Sequence, residues 1–457
     1  MKNNKVNSQF IVYSNLLMNK YFLNLNSIFL IILLNIFLIN IFQINAQSLD
    51  SLINEALSNN PLLKSLGYKI KSSENKINTV NTLPAPTIGF DLNQLPFSSL
   101  NWLNGPLSQN LSFSQMFMLG GKLNAMSNVE KANVEINRDN LEIYKVNLIA
   151  NIKMIYYNLW LFNKKIEIQQ EGINLLNQLL KSVESLFESN KISQADIFTI
   201  KSEIAIDETQ LLILNKQKET EIYKINNALG RNLDSKSLYI VDSLTIIPFN
   251  YSQAELENML TEYNPSLKRM NSMINMTKID IIANKKELNP DLMLSAMFMR
   301  MPKGMIITSN TPLDNIKAMG GADYGYSLMA SITLPYAPWS KSKIDAKEQE
   351  LQMDILSSES ELNDMNRNML SQLKTAFVKM TTSWDLINLY NENVIPLYIK
   401  ARESQIISYQ NNQTNINTVI DANRMLLMQS MNYYMAQADY KMAQAEIEMM
   451  VGALLNK

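Results

Sequence analysis

Side chains of two kinds alternate along Pro290-Asp-Leu-Met-Leu-Ser-Ala-Met-Phe-Met-Arg-Met301, and the rest of the chain can be interpreted as support for this stretch. Apolar residues fall on the even positions Leu292, Leu294, Ala296 and Phe298, and the odd positions carry Asp291, Met293, Ser295, Met297, Met299 and Met301. Residues 323–334 follow the same rule, with Tyr326, Leu328, Ala330 and Ile332 alternating with Gly325, Ser327, Met329 and Ser331. A strict period of two predicts a pair of β-strands, each with two unlike faces.

A second pair of alternating segments lies earlier in the chain. Ile88, Phe90 and Leu92 alternate with Thr87, Gly89, Asp91 and Asn93. After a turn-rich loop, Leu111, Phe113 and Phe117 alternate with Ser112, Ser114 and Met116. The sequence therefore predicts two β-hairpins of one kind, at residues 86–117 and 290–335.

Strands of about 10 residues with one apolar and one polar face are what a membrane β-barrel requires, although a water-soluble sheet edge also alternates. Four strands are too few to close a barrel, and lipid does not tolerate an open sheet edge. In the membrane interpretation the chain must therefore associate with copies of itself. The apolar faces would meet lipid, and the positions expected to line the water-filled lumen are Asp91, Asn93, Ser112, Ser114, Asp291, Ser327 and Ser331.

Composition excludes several classes of function. The 457 residues include no cysteine and no histidine, which removes Cys-His catalysis, disulfides and nearly every zinc site. No paired acidic motif and no phosphate-binding glycine loop occurs, so we expect neither enzymatic activity nor a cofactor. The formal net charge is −1, and no basic surface indicates nucleic acid as a partner.

The N-terminal residues 1–46 have the pattern of a secretory signal peptide. Three lysines precede an apolar run at 28–44, and Ala46 is a suitable small residue at the cleavage point. A membrane-anchor helix is the alternative, but Asn35 and Asn40 interrupt the run. Without a cysteine the mature chain cannot be a lipoprotein.

The remaining chain reads as long helices arranged around the two hairpins, in the same order twice. The first repeat, 47–251, has a helix, the hairpin 86–117, a long helical hairpin at 122–230 and a connector. The second, 252–457, has a helix, the hairpin 290–335 and a helical hairpin at 341–452, interrupted by Pro396. Each first helix contains Asn-Pro, at 60–61 and 264–265, and a helix of roughly 65 residues would be about 100 Å long.

Smaller signals predict details of these helices. The residues Val129, Ala132, Ile136, Ile143, Val146 and Ala150 form a coiled-coil seam, broken once by Asp139. Ser193 with Asp196 indicates the start of the return helix, as a loose capping box.

In this order the features resemble the TolC-type outer-membrane efflux and secretion channels, over nearly the whole mature length. The resemblance lies in the repeat, both Asn-Pro pairs, Gly120-Gly-Lys122, Leu334-Pro335 and Tyr409-Gln-Asn-Asn-Gln-Thr-Asn-Ile-Asn-Thr-Val-Ile-Asp421. It implies a mostly α-helical protein with a membrane β-barrel. A homotrimer would supply four strands per protomer to one 12-stranded barrel, on an α-helical tunnel through the periplasm. It also implies an inner-membrane pump and a periplasmic adaptor as partners.

The resemblance implies a gate at the periplasmic end of the tunnel. Asp421 lies where the family carries acidic residues around the narrow opening, and Thr418 stands where a second acidic residue is common. Three copies of Asp421 would attract cations, and Arg424 could pair with it in the closed state. The alternative is an exposed ion pair on one helix, which contributes a few tenths of a kcal/mol.

Four methionines suggest a metal-binding role. Met293, Met297, Met299 and Met301 share a strand face with Asp291, and thioethers are soft ligands suited to Cu(I) and, by the same softness, Ag(I). The alternative is that methionine merely fills the barrel mouth.

These patterns predict a passive outer-membrane channel of a multi-part efflux system, which exports solutes such as Cu(I), Ag(I), other heavy metals or drugs. The alternative is a periplasmic coiled-coil adaptor or scaffold with a small soluble β-domain. A hydrolase ranks third, since no acid pair supports one.

Overall fold

The fold was taken from a computed structural model, which describes residues 48–95, 97, 101–189, 191–235, 243–302, 322–453 and 455. The predicted signal peptide and nearly all of the loop between the second pair of strands lie outside these residues. The described part is mostly helical with one four-stranded antiparallel sheet, which confirms the predicted combination of elements.

The described residues of the first half form four helices and two strands. A short helix and a second helix precede the first strand, and a 67-residue helix follows the second strand. The elements are α1 (Leu49–Asn59), α2 (Pro61–Val80), β1 (Thr87–Asn93), β2 (Ser108–Met118), α3 (Lys122–Glu188) and α4 (Gln194–Leu229).

The second half contains the same kinds of element in the same order. The long helical segment that follows its second strand is divided by a π-helical turn, Tyr390–Val394. The elements are α5 (Gln253–Tyr263), α6 (Pro265–Lys286), β3 (Asp291–Met301), β4 (Asp323–Ile332), α7 (Pro338–Leu389), α8 (Ile395–Gln410) and α9 (Ile416–Val451).

The sheet has the strand order β1-β2-β3-β4, so β1 and β4 are its edges. Its register places like side chains opposite one another. Ile88 pairs with Phe113, and Phe113 with Ala296. Ala296 in turn pairs with Leu328. The alternation seen in each strand thus gives the whole sheet one apolar and one largely polar face.

One helix adjoins each strand in the chain, with α2 before β1, α3 after β2, α6 before β3 and α7 after β4. α3 packs against α2, α4, α6 and α9, while α7 packs against α6 and α9. The helices bury three hydrophobic clusters, around Trp160, around Tyr440 and, near the helical tips, around Val183. The order of neighbours leaves α2 and α4 on one side of the chain and α7 and α8 on the other.

An asparagine separates the two short helices in each half. Asn60 caps α2 by accepting hydrogen bonds from the backbone N–H groups of Leu62 and Leu63. Its Nδ2 donates to the carbonyl of Ala228, at 3.0 Å. The sequence predicted one interrupted helix here, and the cap makes two because the residue before a proline avoids the helical region.

Pro396 does not end the helix in which it lies. It is the second residue of α8, directly after the π-helical turn. A proline lacks the N–H that a regular helix requires, and the wider turn before it lets the chain remain helical.

Among the described residues, no helix is both long and apolar enough to span a membrane.

Candidate functional site

The polar face of the sheet brings together all seven positions expected to line a lumen. Ser114 pairs with Thr87 and with Ser295, and Ser112 pairs with Gly89 and with Met297. The same register puts the remaining members on this face: Asp91, Asn93, Asp291, Ser327 and Ser331.

Hydrogen bonds cross the strands on this face. Asn110 donates its Nδ2 to the carboxylate of Asp91 at 2.9 Å. The hydroxyl groups of Thr87 and Ser114 are 2.6 Å apart. These bonds satisfy polar side chains between neighbouring strands and so favour the observed register.

Asp291 has a role that the sequence did not reveal. Its carboxylate accepts from the ammonium group of Lys122, the first residue of α3, at 2.9 Å. The Lys122 side chain is only 5% exposed, and Glu287 is a second, more distant partner at 3.6 Å. Asp291 therefore joins the start of β3 to the start of α3, at the junction between sheet and helices.

The methionines predicted as metal ligands lie on one face of β3, and the register adds others. Met116 on β2 lies opposite Met293, and Met118 lies opposite Asp291. Met329 on β4 lies opposite Ser295. Among the described residues, seven methionines therefore share the polar face: Met116, Met118, Met293, Met297, Met299, Met301 and Met329.

Within the described part of the chain, no group of three or more His, Cys, Asp or Glu side chains could hold a metal ion. Any metal interaction in these residues would therefore depend largely on thioether sulfur atoms.

The predicted gate residues form a cluster with a residue that sequence reasoning missed. Arg424 donates to Asp421 at 3.3 Å, but its closer partner is Glu203 on α4, which accepts from Nη2 at 2.8 Å and from Nε at 3.2 Å. Bidentate arginine–carboxylate pairs are among the stronger polar contacts. Glu203 is mostly buried, with 10% of its side chain exposed, whereas that of Asp421 is 63% exposed. Asp421 thus remains available to solvent while Arg424 links α9 to α4.

Asp207 extends this cluster along α4. Burial raises the pKa of its carboxyl above the ordinary value, and the nearby Glu203 raises it further. The hydrogen bond with Gln169 and the charge of Arg424 act in the opposite direction. Glu203 and Asp207 are separated by one helical turn, so both acids face the same arginine.

A second hydrogen bond joins the two helical hairpins closer to their tips. The hydroxyl of Tyr409 donates to Asp196 at 3.0 Å. Burial and this hydrogen bond raise the pKa of Tyr409 well above its ordinary value. Asp196 therefore does not complete a capping box. Ser193 alone caps α4, by accepting from the N–H of Ala195.

Comparison with known families supports the resemblance. Residues 52–231 match the model of the family described as outer membrane efflux protein. This segment is about 39% of the chain and runs from within α1 to just past the end of α4.

Solved structures with the same fold span nearly the whole chain. The outer-membrane channel OprN superposes with a TM-score of 0.69 at 15% identity, covering 89% of this chain and 90% of its own. The Campylobacter jejuni CmeC outer membrane channel gives a TM-score of 0.69 at 13% identity, covering 88% and 85%. The open state of the Neisseria gonorrhoeae MtrE outer membrane channel gives 0.64 at 15%, covering 89% of each.

The fold is therefore that of the TolC-type outer-membrane channels. Residues 52–231 are similar to the outer membrane efflux protein family, which confirms the resemblance drawn from the sequence. Proteins of this family are transport proteins and not enzymes, in agreement with the composition. No curated protein matches the sequence.

Proposed function

We propose that the chain is one subunit of a homotrimeric outer-membrane efflux channel, in which three copies close a 12-stranded barrel. The observation that carries this proposal is the sheet itself. Its edge strands β1 and β4 have no partner among the described residues. Since the strands alternate in direction, β4 of one copy and β1 of the next would pair antiparallel, as every neighbouring pair in the sheet does.

The apolar face supports a lipid environment for this barrel. Ile88, Leu328 and Tyr326 are 75%, 77% and 85% exposed in the single chain. A soluble protein rarely leaves such a broad apolar surface in water. At one end of the face Arg300 donates to Gln109 and to the carbonyl of Leu103, so polar groups appear where the apolar band stops.

The sides of the helical bundle support association along its length. On α4, one outer helix, Phe198, Ile206 and Leu212 are exposed. On the opposite side, Val378 of α7 and Leu397 of α8 are exposed as well. In a closed ring these two sides would meet between neighbouring copies and remove apolar surface from water.

We further propose that Asp421 lines the periplasmic opening and attracts cations there, with Arg424 and Glu203 holding the surrounding helices. The exposure of Asp421 and the contact between α9 and α4 support this assignment. By the resemblance, the helices would cross the periplasm and meet an adaptor that connects the channel to an inner-membrane pump.

Soft metal ions are a second proposal, concerning the exported solute. Seven methionines on the polar face of the sheet favour it, because Met116 and Met293 face each other across neighbouring strands. Weak thioether contacts along a lumen would allow Cu(I) or Ag(I) to move from one site to the next. Replacing Met293, Met297, Met299 and Met301 by leucine should lower cellular tolerance to both ions; unchanged tolerance would remove this proposal.

Membrane fractionation with planar-bilayer recording tests the main proposal. The channel should stay in the detergent-soluble outer-membrane fraction as a heat-modifiable trimer, and the purified trimer should conduct ions. The competing function, a periplasmic scaffold, predicts a protein that washes off the membrane without detergent. A water-soluble monomer without conductance would overturn the channel assignment.

A further inference from the structure

A small cavity between three helices lies behind the Asp421 cluster. It has a volume of about 170 Å³ and lies between α3, α8 and α9. Its polar lining consists of Gln178, Ser182, Arg402, Gln410 and Asn423, and its other walls are leucine, isoleucine and valine. Among the described residues no carboxylate lines it, and Arg402 is the one charged side chain in its lining.

Two of the residues that line this cavity each have a buried polar atom without a partner among the described residues. The Nε of Arg402 and the Oδ1 of Asn423 are both buried and make no hydrogen bond there. Asn423 as a residue is only 4% exposed. Arg402 also forms no ion pair with any described side chain, in contrast to Arg424 nearby. Buried polar groups without partners are costly, and a cluster of them indicates a ligand or ordered solvent.

The chemistry of the two atoms defines what the cavity can take. Arg402 offers N–H donors and a positive charge, whereas Asn423 offers an acceptor oxygen. A matching ligand needs negatively charged oxygens for the guanidinium group and an O–H donor for the amide. The hydrogen phosphate ion has both and is small enough for this volume. Water could also fill the space, but it would leave the positive charge unneutralised.

We propose that this cavity is a binding site for a small oxyanion carrying an O–H group, such as hydrogen phosphate. The ion would connect Arg402 on α8 to Asn423 on α9 beside the wall formed by α3. Asn423 lies between Asp421 and Arg424 in the sequence but lines the opposite side of α9. Binding would therefore fix the turn of α9 that also carries the Asp421 cluster. The site does not depend on the channel function.

Phosphate titration of the purified full-length protein in detergent tests the proposal. Inorganic phosphate should raise the thermal unfolding midpoint of the wild type in a saturable manner, compared with chloride at equal ionic strength. Amide hydrogen exchange around residues 402–423 should slow at the same concentrations. Calorimetric titration should give a single site per chain.

Matched variants assign the effect to the cavity. Arg402→Gln should abolish the phosphate-dependent shift, and Asn423→Leu should weaken binding by about tenfold, the loss of one hydrogen bond to a charged group. Arg367→Gln removes the same charge from an exposed position on α7 and should keep the full shift. Arg402→Lys keeps the charge, and should retain partial binding even if Arg402→Gln folds poorly. If the wild type responds to phosphate no more than to chloride, or if Arg402→Gln binds normally, the cavity holds only water and the proposal is wrong.

Discussion

Asn60 and Asn264 make the same three hydrogen bonds in the two halves of the chain. Asn264 accepts from the N–H groups of Ser266 and Leu267 and donates to the carbonyl of Met450 at 2.6 Å. In Asn60 the corresponding partners are Leu62, Leu63 and Ala228. Each asparagine thus joins the start of a short helix to the end of a long one. This equivalence supports the twofold repeat proposed from the sequence.

A glycine follows the helix that each asparagine contacts, Gly230 after α4 and Gly452 after α9. Gly230 and Gly452 both have positive φ angles, of 71° and 74°. A Cβ on Gly452 would lie 2.8 Å from the carbonyl oxygen of Tyr263, and one on Gly230 would lie 3.0 Å from that of Asn59. Glycine therefore ends each helix and also lets the Asn-Pro segment approach closely.

Removing one of these asparagines should destabilise the protein strongly. Asn264→Ala loses a helix cap and leaves the buried carbonyl of Met450 without its partner. We expect a loss of about 2 to 4 kcal/mol in the free energy of unfolding. Ser193→Ala removes a cap with local contacts only and should cost about 1 kcal/mol. Denaturant unfolding of both variants in detergent measures the difference, and equal losses would contradict the interhelical role.

Charge on the two faces of β4 should have opposite consequences. Leu328→Lys places an ammonium group on the apolar face, at a cost of about 2 to 4 kcal/mol if that face meets lipid. Ser327→Lys places the same group on the adjacent residue of the polar face and should be tolerated. The fraction of heat-modifiable trimer in isolated outer membranes measures assembly. Equal defects in the two variants would contradict the assigned faces.

The buried pair of Lys122 and Asp291 should show strong coupling. Lys122→Met leaves the carboxylate unpaired at the junction and should cost about 3 to 5 kcal/mol. The double variant Lys122→Met with Asp291→Leu removes both charges and should recover most of that loss. A double-mutant cycle on unfolding free energies gives the coupling, and strictly additive effects would show that the pair contributes nothing of its own.

Asp421→Asn should change how cations act on the channel. Neutralising the exposed carboxylate lowers the local attraction for cations, so block of the single-channel current by multivalent cations should weaken. Asp234→Asn removes an equal charge from the segment after α4 and should leave block unchanged. Planar-bilayer recording compares them. If Asp421→Asn keeps the block of the wild type, Asp421 has no part in the gate.

Asp207 should make stability depend on pH. Its pKa is raised in the folded chain, mainly by burial and also by Glu203, while Arg424 and Gln169 oppose the shift. Because folding raises the pKa of this carboxyl group, its ionised form destabilises the folded protein above that raised pKa. The destabilisation disappears as the pH falls to 3.8, the ordinary pKa of the group. Asp207→Asn should therefore raise the unfolding midpoint at neutral pH but not near about pH 4. Asp354→Asn, at an exposed position on α7, serves as the control, and an Asp207→Asn midpoint shift that is the same at both pH values would contradict this origin.

Local patterns predicted the elements well because their signals are short-range. The alternation is unbroken from 291 to 299, and the structure contains a strand at Asp291–Met301. The uninterrupted polarity pattern after Lys122 likewise predicted a helix of nearly the observed length. These features depend on neighbours within one or two turns, which one sequence displays directly.

Side-chain partnerships between distant helices were less predictable. The seam predicted along α3 is only partly buried, since Ala132 and Ala150 are buried while Ile136 is half-buried. α3 packs against five other described helices and so buries more than one stripe. Asp139, expected to break the seam, is itself buried and accepts from Ser272. Likewise Glu203 is 221 residues from Arg424, and no local spacing pointed to that pair.

The position of β1 and β4 at opposite edges has a practical consequence for counting subunits. Within one chain the two strands are separated by three strand spacings, about 14 Å, which is too far for a disulfide bond. The protein has no cysteine of its own, so a single cysteine introduced on each edge strand could form a disulfide only with another introduced cysteine. Any oxidised product must therefore join separate polypeptides, and a closed ring would appear on a denaturing gel as a ladder that ends at the number of its members.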